Sequence, residues 1–140
     1  MSDRNIQPIK IIIDGRLLAS MARHSVQCAP NEACGIIYGN IRDDAYIVED
    51  VKFVENASSS PIQFTMSNAD TIRAYDSNSD VVGIYHSHPT SAAIPSEMDR
   101  GYMLINPVAW VIYSGADQKF RAWHMTDDIH ELLIKTENSG

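Results

Sequence analysis

A β-branched apolar run at Ile9 to Ile13 predicts a first strand. Asp14 can then cap a helix in which Leu17, Leu18, Met21 and Val26 recur at helical spacing, and Pro30 is expected to end it. Glu32 to Tyr38 reads as a strand running into Gly39-Asn40, and Ala45 to Val54 as another, with the turn near Asp43-Asp44. The polar stretch Glu55 to Pro61 lacks apolar periodicity and reads as a loop. A short strand at Gln63 to Met66 and a helix capped by Ser67 or Asn68 and running toward Tyr75 are expected next.

The run VVGIYHSH is strongly β-prone and stops at Pro89, whose ring suits no central ladder. Ser96 starts a helix expected to last until about Leu104. Trp110 to Tyr113 and Lys119 to Trp123 predict two short strands joined around Ser114-Gly115, whereas His130 to Ile134 is compatible with helix or strand. Strands mixed with two or three helices, with no repeat and no linker, indicate one α/β or α+β domain over residues 1–140, with flexible ends.

Composition narrows the class of protein. At 140 residues, one domain would bury roughly 65–70% of its unfolded surface. Hydrophobic residues at 44% and charged residues at 21% are those of a globular chain. The 11 basic against 18 acidic residues leave a net charge of -7, which argues against a broad nucleic-acid or anionic-lipid footprint. No apolar stretch approaches a membrane span or a signal-peptide core, so an unprocessed, soluble chain is expected. Cys28 and Cys34 are too few for a disulfide framework and read as reduced thiols of the cytoplasm.

The chemistry concentrates in His86-Ser87-His88-Pro89. With a side-chain period of two, a strand points His86 and His88 to one face and Ser87 to the other, which offers two imidazoles to one ion. Asp99 has two readings: it completes an N-terminal capping box with Ser96, or it folds back as a third ligand, leaving a fourth position for water. Such a site also needs a base. Glu32 opens an apolar strand where an acid is ordinarily a solvated edge residue, but Glu49, Asp50, Glu55, Asp70 and Glu97 compete with it. Cys34 shares strand parity with Glu32 and reads as a small buried hydrophobe; Trp110, Tyr113, Phe120 and Trp123 read as packing residues, and His24, His124 and His130 show no ligand pattern.

Taken together, Glu32, His86-x-His88, Ser96 and Asp99 resemble the signature of the JAMM, or MPN-plus, metalloprotease family, and PNEACGIIYG is similar to its first active-site strand. The resemblance extends from the first helix to about Tyr113. It implies a curved mixed β-sheet flanked by helices, akin to the cytidine-deaminase-like fold. It also implies one Zn2+ ion held by His86, His88 and Asp99, with Glu32 as proton carrier and Ser96 as donor to the oxyanion. The deaminase H-x-E with P-C-x-x-C and the H-E-x-x-H zinc motif are both missing.

No large insertion separates Gly39 from His86 or Asp99 from Trp110, which resembles the compact prokaryotic members. Glu32-Ala33-Cys34-Gly35 is similar to the small enzymes that release cysteine or a short appendage from a ubiquitin-like sulfur-carrier protein. Removal of ubiquitin-like proteins from lysines is the alternative enzyme reading, and a noncatalytic scaffold is the non-enzyme one. A monomer and a homodimer both suit this length.

Overall fold

A computed structural model of the chain describes residues 7–56 and 80–137. The strand expected at Gln63 to Met66, the helix toward Tyr75, most of the loop from Glu55 to Pro61 and the two chain ends lie outside the described residues.

Strand β1 (Lys10–Asp14) buries Ile11 and Ile13 and delivers the chain into helix α1 (Gly15–Cys28). Asp14 caps that helix, its carboxylate accepting the Arg16 amide proton at 2.7 Å. Met21 is buried with Leu17 and Leu18 against it, as the periodicity requires, but Val26 is 67% exposed. At 3.6 residues per turn Val26 lies about 140° around the helix from Met21, whereas Ser25 lies about 40° away. Ser25 therefore takes the inner position, donating its hydroxyl proton to the Met21 carbonyl.

Strands β2 (Cys34–Arg42) and β3 (Ala45–Val54) form a hairpin that turns at Asp43, whose φ of 57° is a conformation that aspartate tolerates. Glu32 precedes β2 rather than opening it, and β2 continues past Gly39-Asn40. A bulge between Tyr38 and Gly39 carries the strand through. A Cβ at Gly39 would sit 1.9 Å from the Ile47 carbonyl oxygen, so glycine here serves close backbone approach inside the ladder, not a turn.

Strand β4 (Val81–His88), helix α2 (Glu97–Ile105) and strand β5 (Ala109–Ser114) form a parallel crossover, followed by the antiparallel β6 (Lys119–Met125) and β7 (Ile129–Glu137). The ambiguous segment at His130 is thus strand, because it pairs on both sides, with β6 and with β1. The mixed sheet runs β1-β3-β2-β4-β5-β6-β7, and β7 returns to β1 to close a barrel. This single α/β domain matches the expected curved sheet with flanking helices. Among the described residues no helix is long and apolar enough to cross a membrane.

Successive strand residues divide the core into two. Ile11, Ile37, Tyr85, Val111 and Leu132 share one face with α1, whereas Ile36, Ile84, Trp110, Ile112 and Trp123 share the other with Met103 of α2. Trp110, Tyr113 and Trp123 pack as expected.

Gly39→Ala is expected to destabilise the fold by about 2–4 kcal/mol in urea unfolding, because the obstructing atom is backbone. Gly101→Ala, on α2 with nothing within 4 Å of an added Cβ, should stabilise it by about 0.5–1 kcal/mol.

Candidate metal centre

Strand alternation on β4 turns His86 and His88 toward the α2 side, where both are buried. Trp110 meets the His86 ring edge-on at 5.9 Å. Asp99 reaches the same point from the first turn of α2, which a capping box holds in place: Ser96 Oγ accepts the Asp99 amide proton at 3.0 Å, and the Ser96 amide donates to Asp99 Oδ2 at 2.9 Å. Asp99 therefore closes the capping box and also faces the two histidines. The box that starts the helix also aims the carboxylate.

His86 Nε2, His88 Nε2 and Asp99 Oδ2 form a triangle with edges of 3.2, 3.2 and 3.0 Å. Three zinc ligands at about 2.0–2.2 Å on a tetrahedron stand roughly 3.3 Å apart, so the triangle has the size of an ion site with one face open. His88 Nδ1 donates to the Ala92 carbonyl at 2.8 Å, which leaves Nε2 to face the cluster with its lone pair in the neutral ring. Two imidazole nitrogens and a carboxylate oxygen suit zinc, and these three residues could hold a metal ion together.

Electrostatics pull the three groups in different directions. Burial drives the His86 imidazole toward neutrality, against the pull of Asp99. Burial opposes ionisation of Asp99, but hydrogen bonds from His86, His88 and the Ser96 amide outweigh it and hold the carboxyl well below its usual range. For His88, burial is outweighed by hydrogen bonds to Asp99 and the Ala92 carbonyl, which raise its pKa.

Glu32 is 4% exposed, and its Oε1 finds no hydrogen-bond partner among the described residues. Burial, with a further contribution from Asp99 and an opposing one from His88, pushes its pKa up to about 8. A buried carboxyl oxygen without a partner is costly to a fold, which makes Glu32 a candidate for chemistry. Its backbone is clamped on both sides. The Ala33 amide donates to Ser87 Oγ at 2.8 Å, the Ser87 amide donates to the Ala33 carbonyl at 3.0 Å, and Asn56 Nδ2 donates to the Glu32 carbonyl at 2.9 Å. Ser87 and Asn56 carry no sequence signal for this role, since 54 and 24 positions separate the partners.

The competing acids fare differently. Glu49 accepts from Asn40, Asp50 bonds the Val51 amide, and Glu97 is exposed on α2. Glu55 lies with Glu32, His24, Cys28, Phe53 and Asn56 on a cleft of about 430 Å3, and Asp70 is outside the described residues. Cys34 is buried and its thiol donates to the Val54 carbonyl, in keeping with a packing role. Cys28 is a free thiol that burial pushes up in pKa, which makes it a poor nucleophile. His24 stacks on Phe53 with ring centroids 4.1 Å apart.

The profile of the prokaryotic homologs of the JAB domain matches residues 15–126. The chain belongs to that family. As a JAB-domain homolog with a His-His-Asp cluster, it has the architecture of a JAMM-type metallohydrolase. It is 32% identical over 112 residues to a protein of Pyrococcus furiosus named desampylase, covering 76% of each chain. It is 28% identical over 127 residues to the CysO-cysteine peptidase of Mycobacterium tuberculosis, covering 84% of each. The solution structure of protein DSY2949 from Desulfitobacterium hafniense superposes with a TM-score of 0.78 at 28% identity, over 92% of this chain and 95% of that one.

The raised pKa of Glu32 has a sign for stability. Between the ordinary value of 4.5 and the folded value of about 8, the folded protein binds more protons than the unfolded one, so this group's contribution weakens as pH rises. Metal-free Glu32→Gln protein should therefore gain stability over the parent, by little near about pH 5 and by on the order of 2–4 kcal/mol at pH 8. Urea unfolding in chelator at both pH values measures the difference.

Proposed function

We propose that this JAB-domain homolog is a zinc-dependent peptidase that hydrolyses the amide bond after the C-terminal glycine of a ubiquitin-like sulfur-carrier protein, releasing cysteine or a short appendage. The observation that carries the chemistry is the Glu32 carboxyl, its Oε1 buried without a partner among the described residues, lying in the electrostatic field of His88 and Asp99. The substrate class rests on the relatives, named for desampylation and for CysO-cysteine cleavage.

In this reading His86, His88 and Asp99 hold the zinc, which when bound supplies a Lewis acid that polarises the scissile carbonyl and acidifies the attacking water. Glu32 takes a proton from that water and returns it to the leaving nitrogen as the C–N bond breaks. The hydroxyl oxygen ends on the glycine carboxylate, and no covalent bond to the protein forms. Ser96 Oγ accepts from the Asp99 amide, so its own O–H remains to donate to the oxyanion. The Ser87 and Asn56 bonds hold the Glu32 main chain in register with the histidines.

Intact mass of ubiquitin-like carriers bearing a C-terminal cysteine, or joined to lysine by an isopeptide, tests the reading. Zinc-loaded protein should remove the cysteine, and Glu32→Ala should slow this by about 10^2–10^4-fold. Cleavage at the lysine linkage instead would favour general removal of ubiquitin-like proteins from lysines, and no cleavage of either by verified zinc-loaded protein would defeat the proposal. Ser87→Ala should lower kcat by about tenfold through the lost hydrogen bond to the Ala33 amide, with zinc affinity unchanged and with rescue by Ser87→Thr.

A further inference from the structure

A second pair of histidines meets at the other end of the sheet. His124 on β6 and His130 on β7 stand directly opposite each other in the antiparallel ladder. Their side chains share a face with Ala122 and Leu132, the α1 side of the sheet, whereas His86 and His88 lie with Trp110 on the α2 side. The parallel β4 and β5 place His88 beside Ser114, and Ser114 pairs with Lys119 at the start of β6, so the Met125 end of β6 is remote from His88. The two histidine pairs thus occupy opposite faces and opposite ends.

His124 is 6% exposed, and among the described residues its ring nitrogens have no hydrogen-bond partner. Its ring meets the edge of Tyr46 at 6.3 Å and borders a cleft of about 340 Å3 whose other walls include Pro8, Ile9 and His130. A largely buried imidazole whose ring borders a cleft can offer a nitrogen lone pair to an ion there. The His124 and His130 ring centroids are 5.9 Å apart with planes at 70°. Two imidazoles on one zinc ion at about 2.0–2.1 Å have centroids about 5–6.5 Å apart, so the spacing fits a shared ion. Asp127 Oδ1 lies 3.5 Å from His130 Nε2 on the solvent side and offers a carboxylate. Glu131 is held away by two hydrogen bonds from Arg121.

We infer that His124 and His130 form a second site for a divalent transition-metal ion, with Asp127 at its rim and water completing the shell. Burial and the neighbouring His130 keep His124 neutral near physiological pH, the form that ligates. The ion would pin the β6–β7 hairpin near the start of β1, with two protein nitrogens giving weaker binding than the three-ligand centre.

Calorimetric titration of metal-free protein with Zn2+ near neutral pH tests this. The parent should show two binding events, and His130→Gln, at an exposed position, should lose only the weaker one while keeping parental peptidase activity. His86→Ala should lose the stronger event and keep the weaker. A single event in the parent, or two undiminished events in His130→Gln, overturns the inference. Should His86→Ala fail to fold, the parent against His130→Gln decides alone. Paramagnetic Cu2+ gives an independent readout: beyond one equivalent it should broaden the amide resonances of residues 123–131 in the parent and leave them sharp in His130→Gln. Equal broadening in both proteins would also overturn the inference.

Discussion

The candidate centre depends on the pairing of β2 with β4. That ladder sets Cys34 opposite His86, and just before Cys34 the chain exchanges two hydrogen bonds between Ala33 and Ser87, one through the serine hydroxyl and one through its amide. Ser87 points to the face away from its two histidine neighbours, and from there it ties down the residue after Glu32. The residue between the two candidate ligands therefore fixes where the candidate base begins. Slipping this register by one residue would exchange the two faces of β4 and bury the histidines among the aliphatic residues under α1.

The same alternation supplies the site's rigidity. One face of β4 carries Tyr85, whose hydroxyl donates to the Met21 carbonyl and anchors α1, while the other carries His86 against Trp110. Apolar clusters on both faces hold the sheet, so the polar triangle sits on a support that does not depend on it. Within the triangle, Asp99 is ionised by its hydrogen bonds despite burial, and Glu32, lacking such bonds, is driven the opposite way. Two carboxyls in one neighbourhood are thus driven toward opposite protonation states, one suited to holding a cation and one to carrying a proton.

The histidine pair was legible because its information is local. His86 and His88 lie two apart in a β-prone run, and Asp99 lies three after a capping serine, so strand and helix periodicities alone place their side chains. The same local rule failed at Val26, where apolar identity outweighed the angle around the helix, and at Gly39-Asn40, where glycine served a bulge. Segment 129–137 could not be read from periodicity, since its strand character comes from two neighbouring strands.

By itself the sequence determined the mixed α and β class, the caps at Asp14 and Ser96, and the shared face of His86 and His88, since each follows from side-chain period or from contacts within four residues, whereas Asp99 as their companion came from the family resemblance. Only the tertiary structure decided that the sheet closes, that Glu32 rather than Glu49, Asp50 or Glu97 lies by the histidines, and that Ser87 and Asn56 clamp its main chain. It also set His124 against His130. These relations join residues far apart in the chain or on separate strands, and burial and ladder register, which no local pattern encodes, select among chemically equivalent side chains.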